Sequence, residues 1–136
     1  MKREQNITVL VCGGRTYNDT NAAYLVLDTL HHERVIERVA HGGATGADAL
    51  ANRWAMLNRI RVCVYAPDWT RYGRGAGPIR NQRMLRTERP DLVVAFPGGA
   101  GTADMVAQAR KAGVEVYEVG VVALSGERAG LLESQR

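Results

Sequence analysis

Cysteine, lysine and phenylalanine are all scarce in this 136-residue chain, which has two cysteines and a single phenylalanine. Cys12 and Cys63 both fall inside apolar, strand-like runs, where they read as buried free thiols rather than a disulfide framework. No Cys/His pairs have the spacing of a zinc site, so no metal and no cofactor is expected. No stretch nears the roughly 20 apolar residues of a membrane span. The polar lead, residues 1–6, runs straight into a strand-like segment and does not resemble a signal peptide. A cytoplasmic protein with no membrane partner is the expectation. Neither GxGxxG with a suitable downstream acid nor GxxxxGK[ST] occurs, which argues against an ordinary NAD(P) dehydrogenase or a P-loop NTPase.

What remains is ordinary for one globular domain: 46% hydrophobic and 24% charged residues. The net charge of +4 is unevenly placed. Between Trp69 and Pro90 six arginines (71, 74, 80, 83, 86 and 89) face one acid, Glu88, leaving +5, whereas the rest of the chain has 12 basic and 13 acidic residues. Arginine outnumbers lysine 16 to 2. That ratio fits either bidentate phosphate recognition or an arginine-favouring genome.

Apolar, β-branched runs occur at residues 7–12, 35–40, 62–66, 92–96 and 114–119. Most are continuous rather than alternating, as expected of strands covered on both faces of a parallel sheet. Helical spacing of apolar residues predicts helices over 22–31, 47–58, 78–87 and 103–112, the last stopped by Gly113. Residues 68–78, with three glycines, read as a mobile loop. The order predicts an α/β fold: a single Rossmann-like, doubly wound domain over residues 7–119, its five-stranded parallel sheet in the order 3-2-1-4-5 with helices on both faces. Residues 120–136 form a C-terminal extension, expected as a short edge strand followed by a frayed helix.

In such a sheet, ligands bind beyond the carboxyl ends of the strands where the order reverses. The loops converging there carry Gly13, Gly14 and Arg15 after strand 1, and Pro97, Gly98, Gly99, Gly101 and Thr102 after strand 4. The loop after strand 2, with Gly42, Gly43, Thr45 and Gly46, repeats the latter: GGATGAD against GGAGTAD, identical at five of seven positions. Glycines let a ligand approach main-chain amides, and a following helix offers an anion its positive dipole end. A lone loop of this kind is as readily a strand-to-helix turn. The pair meeting at a switch point favours ligand binding. Tyr17, Trp69 and Tyr72 lie near these loops and either stack on a base or pack beneath them. His41 reads as a hydrogen-bonded structural residue and Trp54 as core.

CGGR at Cys12–Arg15, HGGATGAD at His41–Asp48, GPIRNQRML at Gly77–Leu85 and FPGGAGTADM at Phe96–Met105, in that order, resemble the SLOG superfamily, closest to its small YspA/YpsA-related branch. The resemblance spans roughly residues 7–119. It implies binding of a nucleotide or nucleotide-derived ligand and puts Arg80, Asn81 and Arg83 at the crevice, where arginine and backbone amides would clamp a phosphate. It also implies homo-oligomers. Lonely-Guy enzymes of this superfamily release a base from a nucleoside monophosphate and carry PGG-x-GT-x-x-E; Met105 stands at the position of that glutamate. A phosphoribohydrolase needs a carboxylate to support an oxocarbenium-like centre or activate water, leaving Asp104 and Asp48 as the candidate catalytic residues. Three readings follow: a module that senses or sequesters a nucleotide-derived small molecule, a nucleotide N-glycosidase, and, ranked last, a single-stranded nucleic-acid binder built on the +5 segment.

Overall fold

The structure, a computed structural model, describes residues 6–120. Five strands, β1 (Ile7–Cys12), β2 (Ile36–His41), β3 (Arg61–Val64), β4 (Leu92–Ala95) and β5 (Glu115–Glu118), form one sheet in the order β3-β2-β1-β4-β5. Every neighbouring pair is parallel. The doubly wound α/β architecture and the strand order agree with the sequence reading. Val9, Leu10 and Val11 of the central strand are fully buried, which explains why its sequence lacks the alternation of a half-wet strand.

The connections are α1 (Thr20–Glu33), α2 (Ala47–Leu57), α3 (Trp69–Tyr72), α4 (Ala76–Glu88) and α5 (Ala100–Lys111). Asp19 caps α1 by accepting from the Ala22 amide at 3.0 Å. Gly113, with φ 80°, ends α5 in the left-handed conformation that suits glycine. Two apolar layers result. Ala23 and Leu27 of α1 join Ala51 and Trp54 of α2 over Val9, Val39 and Val94 on one face of the sheet. Met84 and Leu85 of α4 join Met105 and Ala109 of α5 over Leu10, Ala40 and Val93 on the other. Each fully buried side chain of this size contributes about 1.5–3 kcal/mol. Trp54, 1% exposed, also donates its indole N–H to Asp28 at 2.8 Å.

Two segments depart from expectation. Residues 68–78 are not an irregular loop: Asp68 caps the short α3 through the Arg71 amide at 3.0 Å, and a 3-10 turn over Gly73–Gly75 leads directly into α4. Pro78 is accommodated because it lies in the first turn of α4, where a backbone N–H has no intrahelical partner. The second departure is the start of α5, at Ala100 rather than residue 103, so Gly101 and Thr102 belong to its first turn. The edge strand and helix expected within residues 121–136 lie outside the described residues.

Candidate ligand-binding site

A crevice of about 1170 Å³ opens at the carboxyl ends of β1, β2 and β4. Its rim joins the loops after those strands with α3 and the start of α4. Direct bonds hold the loops together: the Gly14 amide donates to Pro97 O at 2.8 Å, the Ala47 amide to Gly14 O at 3.1 Å, and Thr45 Oγ1 to Arg15 O at 2.9 Å. Glycine is required for these approaches. A Cβ on Gly98 would strike Thr102 Oγ1 and come within 2.7 Å of the Gly14 nitrogen. Gly46, with φ 74°, lies against the backbone of Gly14 and Arg15.

The twin loops have divided their tasks. Asp48, 6% exposed, turns back on its own loop and accepts from the Gly42 and Ala44 amides, both at 3.1 Å. The Gly43 amide goes to His41 Nδ1 at 2.9 Å, and His41 Nε2 meets Asn52 Oδ1 at 2.9 Å. With Ala47 bonded to Gly14, four amides of this loop, those of Gly42, Gly43, Ala44 and Ala47, are consumed internally, while those of Thr45 and Gly46 have no partner among the described residues. Burial pushes the Asp48 carboxyl above the ordinary carboxylate range, opposed by its amide bonds and by His41 and Arg80. At the second loop, no such carboxylate folds back. The first intrahelical bond of α5 runs from Ala103 to Gly99 O, so the Ala100, Gly101 and Thr102 amides precede the helical ladder and line the crevice without a partner among the described residues.

Arg80 braces the floor. Its Nη1 donates to Gly42 O and to Tyr65 O, each at 3.0 Å, and its Nε donates to Asn81 Oδ1 at 2.9 Å. Asn81, 3% exposed, passes the link onward by donating to Asp104 Oδ2 at 2.9 Å and to Gly101 O at 3.3 Å. Gln108 donates to the same Asp104 oxygen at 2.7 Å. A guanidinium and a carboxylate are thus fixed relative to one another through one buried amide. Cys12 lies beside them, its thiol pushed up to about 12 chiefly by burial and then by Asp48, which makes it a poor nucleophile.

Of the residues singled out from sequence, Gly13, Gly14, Arg15, Gly42, Gly43, Thr45, Asp48, Arg80, Asn81, Pro97, Gly98, Gly99, Gly101, Thr102 and Asp104 all line this crevice. Gly46 and Arg83 do not. Gly46 is a packing glycine beneath Arg15, and the Arg83 guanidinium stacks on the Tyr65 ring at 5.2 Å, away from the opening. Trp69 lines the crevice, 47% exposed, with the Arg15 guanidinium 6.0 Å from its ring. Tyr17 also lines it but packs on Phe96, centroids 5.1 Å apart. Tyr72 lies outside it, under Arg71. Sequence reasoning missed Arg74, which joins Arg15 and Arg80 on the lining. Only its place in the positive segment marked it, and the glycines around it suggested a loop. Met105 is 1% exposed and packs in the α4/α5 core, while Asp104, one position earlier, reaches the crevice.

Among the described residues no cluster of His, Cys, Asp and Glu is arranged to hold a metal ion, and no helix is long and apolar enough to cross a membrane. The Gene 61 protein of Mycobacterium phage D29 is 37% identical over 120 residues, covering 82% of this chain and 95% of that protein. A family model described as YspA, cpYpsA-related SLOG matches residues 7–72, from β1 through α3. The sheet order, the loops at its switch point and these two matches agree, and the chain belongs to the YspA, cpYpsA-related SLOG family.

Proposed function

We propose that this protein binds a nucleotide or nucleotide-derived small molecule in the β1/β2/β4 crevice, as a sensor or sequestering module. The observation that carries the reading is that the amides of Ala100, Gly101 and Thr102, at the start of the 12-residue α5, have no partner among the described residues and belong to residues lining a crevice shared with Arg15, Arg74 and Arg80. A helix end alone contributes about 0.3–1 kcal/mol to holding an anion, and up to about 2 when partly buried. Amides, the Thr102 hydroxyl and guanidinium groups acting together give a phosphate a fitted seat. Trp69, half-exposed on the rim beside Arg15, supplies a face for an aromatic base. Membership of the SLOG family is consistent with a nucleotide-related ligand.

Native mass spectrometry of freshly purified protein, with identification of any released small molecule, is the direct test, backed by thermal shifts with nucleoside mono- and diphosphates. A co-purifying nucleotide or a saturable rise in Tm is the expected outcome. Absence of both at millimolar nucleotide refutes the reading. One observation favours hydrolysis as a second reading: Asp104 lies on the crevice lining, its Oδ2 held by Asn81 and Gln108. Chromatographic detection of free base from nucleoside monophosphates, abolished in Asp104→Asn, would establish it.

A further inference from the structure

Unfavourable features collect at the end of the sheet away from the crevice, where the amino ends of β2 and β3 meet. A recess of about 740 Å³ there is lined by Glu37, Arg38, Arg59, Ile60 and Arg61. Arg38 and Arg61 are register partners on adjacent parallel strands, two like charges side by side. Arg59 holds φ 56° immediately after α2. Its amide donates to Met56 O at 3.1 Å and that of Ile60 to Ala55 O at 2.8 Å, a helix-ending turn in which glycine is the unstrained choice. Both non-glycine residues with positive φ among the described residues, Arg59 and Arg89, are arginines ending helices. The buried acid nearby, Glu88, is already engaged: it pairs with Arg38 at 3.0 Å and accepts from the Tyr65 hydroxyl. Arg38 is further tied to Thr8 Oγ1 at 3.2 Å. Among the described residues, Arg59 and Arg61 make no ion pair.

We propose that this recess is a second, separate anion site, in which Arg59 and Arg61 hold a phosphate group against the fixed Arg38. Guanidinium forks match phosphate oxygens two at a time, and the bound anion supplies negative charge to Arg59 and Arg61, which Glu88, engaged with Arg38, does not reach. Glu88 answers Arg38, but Arg59 and Arg61 still outnumber Glu37, the one acid on the recess lining, so the recess carries an excess of positive charge. The shared chemistry is the phosphate oxyanion, carried either by a free phosphate compound or by a phosphodiester strand.

The test follows the Nε–Hε resonances of ¹⁵N-labelled arginine while inorganic pyrophosphate, and in a second arm a short oligothymidylate, is added. The Arg59 and Arg61 resonances are expected to move saturably in at least one arm, and the arm identifies the source. Arg59→Gly is expected to raise Tm, because the strain is gone, yet weaken binding at this recess about tenfold or more. Arg61→Ser weakens it comparably in a folded protein. The proposal is overturned if neither resonance moves, or if both variants bind like the wild type. A stabilised Arg59→Gly protein with unchanged affinity equally overturns it, since Arg59 then serves only to end α2.

Discussion

Removing the Arg80 guanidinium separates its role as a brace from its role in binding. In Arg80→Ala three acceptors lose a charged donor: Gly42 O, Tyr65 O and Asn81 Oδ1. A hydrogen bond to a charged group contributes roughly 1.5–3 kcal/mol, but the side chain is half-buried and water entering the crevice replaces part of what is lost. A net cost of about 2 kcal/mol follows. At about 3–5 °C per kcal/mol for a domain of this size, Tm falls by about 6–10 °C. Urea unfolding should show a lower midpoint with an unchanged slope, because the same surface is exposed. Arg80→Lys keeps the charge but cannot span the three acceptors, and should recover less than half of the loss. Any nucleotide-induced thermal shift should shrink in both variants. A stability of Arg80→Ala within about 0.5 kcal/mol of the wild type refutes the brace.

Neighbouring glycines should respond differently. Gly98→Ala drives a Cβ into Thr102 and the Gly14 backbone and should cost about 1–3 kcal/mol in chemical denaturation, whereas Gly99→Asp enters open space, leaves stability nearly unchanged and weakens nucleotide binding about tenfold by placing a carboxylate at the α5 terminus. Asp48→Asn tests the raised carboxyl. The folded state holds that proton more tightly than the unfolded chain, so the associated stability is present below the unfolded pKa of about 3.9 and lost as pH rises through the folded value. The stability of the wild type relative to Asp48→Asn should therefore fall as pH rises above about 4; a flat difference contradicts the assignment. Cys12, with its thiol near 12, is about one part in ten thousand thiolate at pH 8, so peptide mapping after iodoacetamide treatment should find it alkylated far more slowly than a free thiol.

Much of the architecture was legible in the chain because the local signals agreed. Continuous apolar strands, helical spacing between them and the turn residues that end most of the strands pointed to a doubly wound sheet with its switch point between β1 and β4. The boundaries were less so. Three glycines and Pro78 suggested an open loop over 68–78, but an Asp68 cap and a proline-tolerant first turn made helix of it. Arg83 shared the helix and charge pattern of Arg80. A rotation of three residues along α4 set it over Tyr65 instead of in the crevice.

The loops GGATGAD and GGAGTAD show where the chain's own information ended. Composition and spacing determined that each would turn from a strand into a helix and that both would lie at one end of the sheet. Nothing in five identical positions of seven distinguished their tasks. Tertiary contacts did so. Gly14 sits against the start of α2 and takes the Ala47 amide, and Asp48, buried, takes two more. At α5 the matching Asp104 is engaged by Asn81 and Gln108 instead, so the Ala100 amide, counterpart of the Ala44 amide that Asp48 takes, has no partner among the described residues. A backbone N–H is the same group in both loops; whether it is spent on the fold or left for a ligand depends on which acceptor the rest of the molecule brings to it.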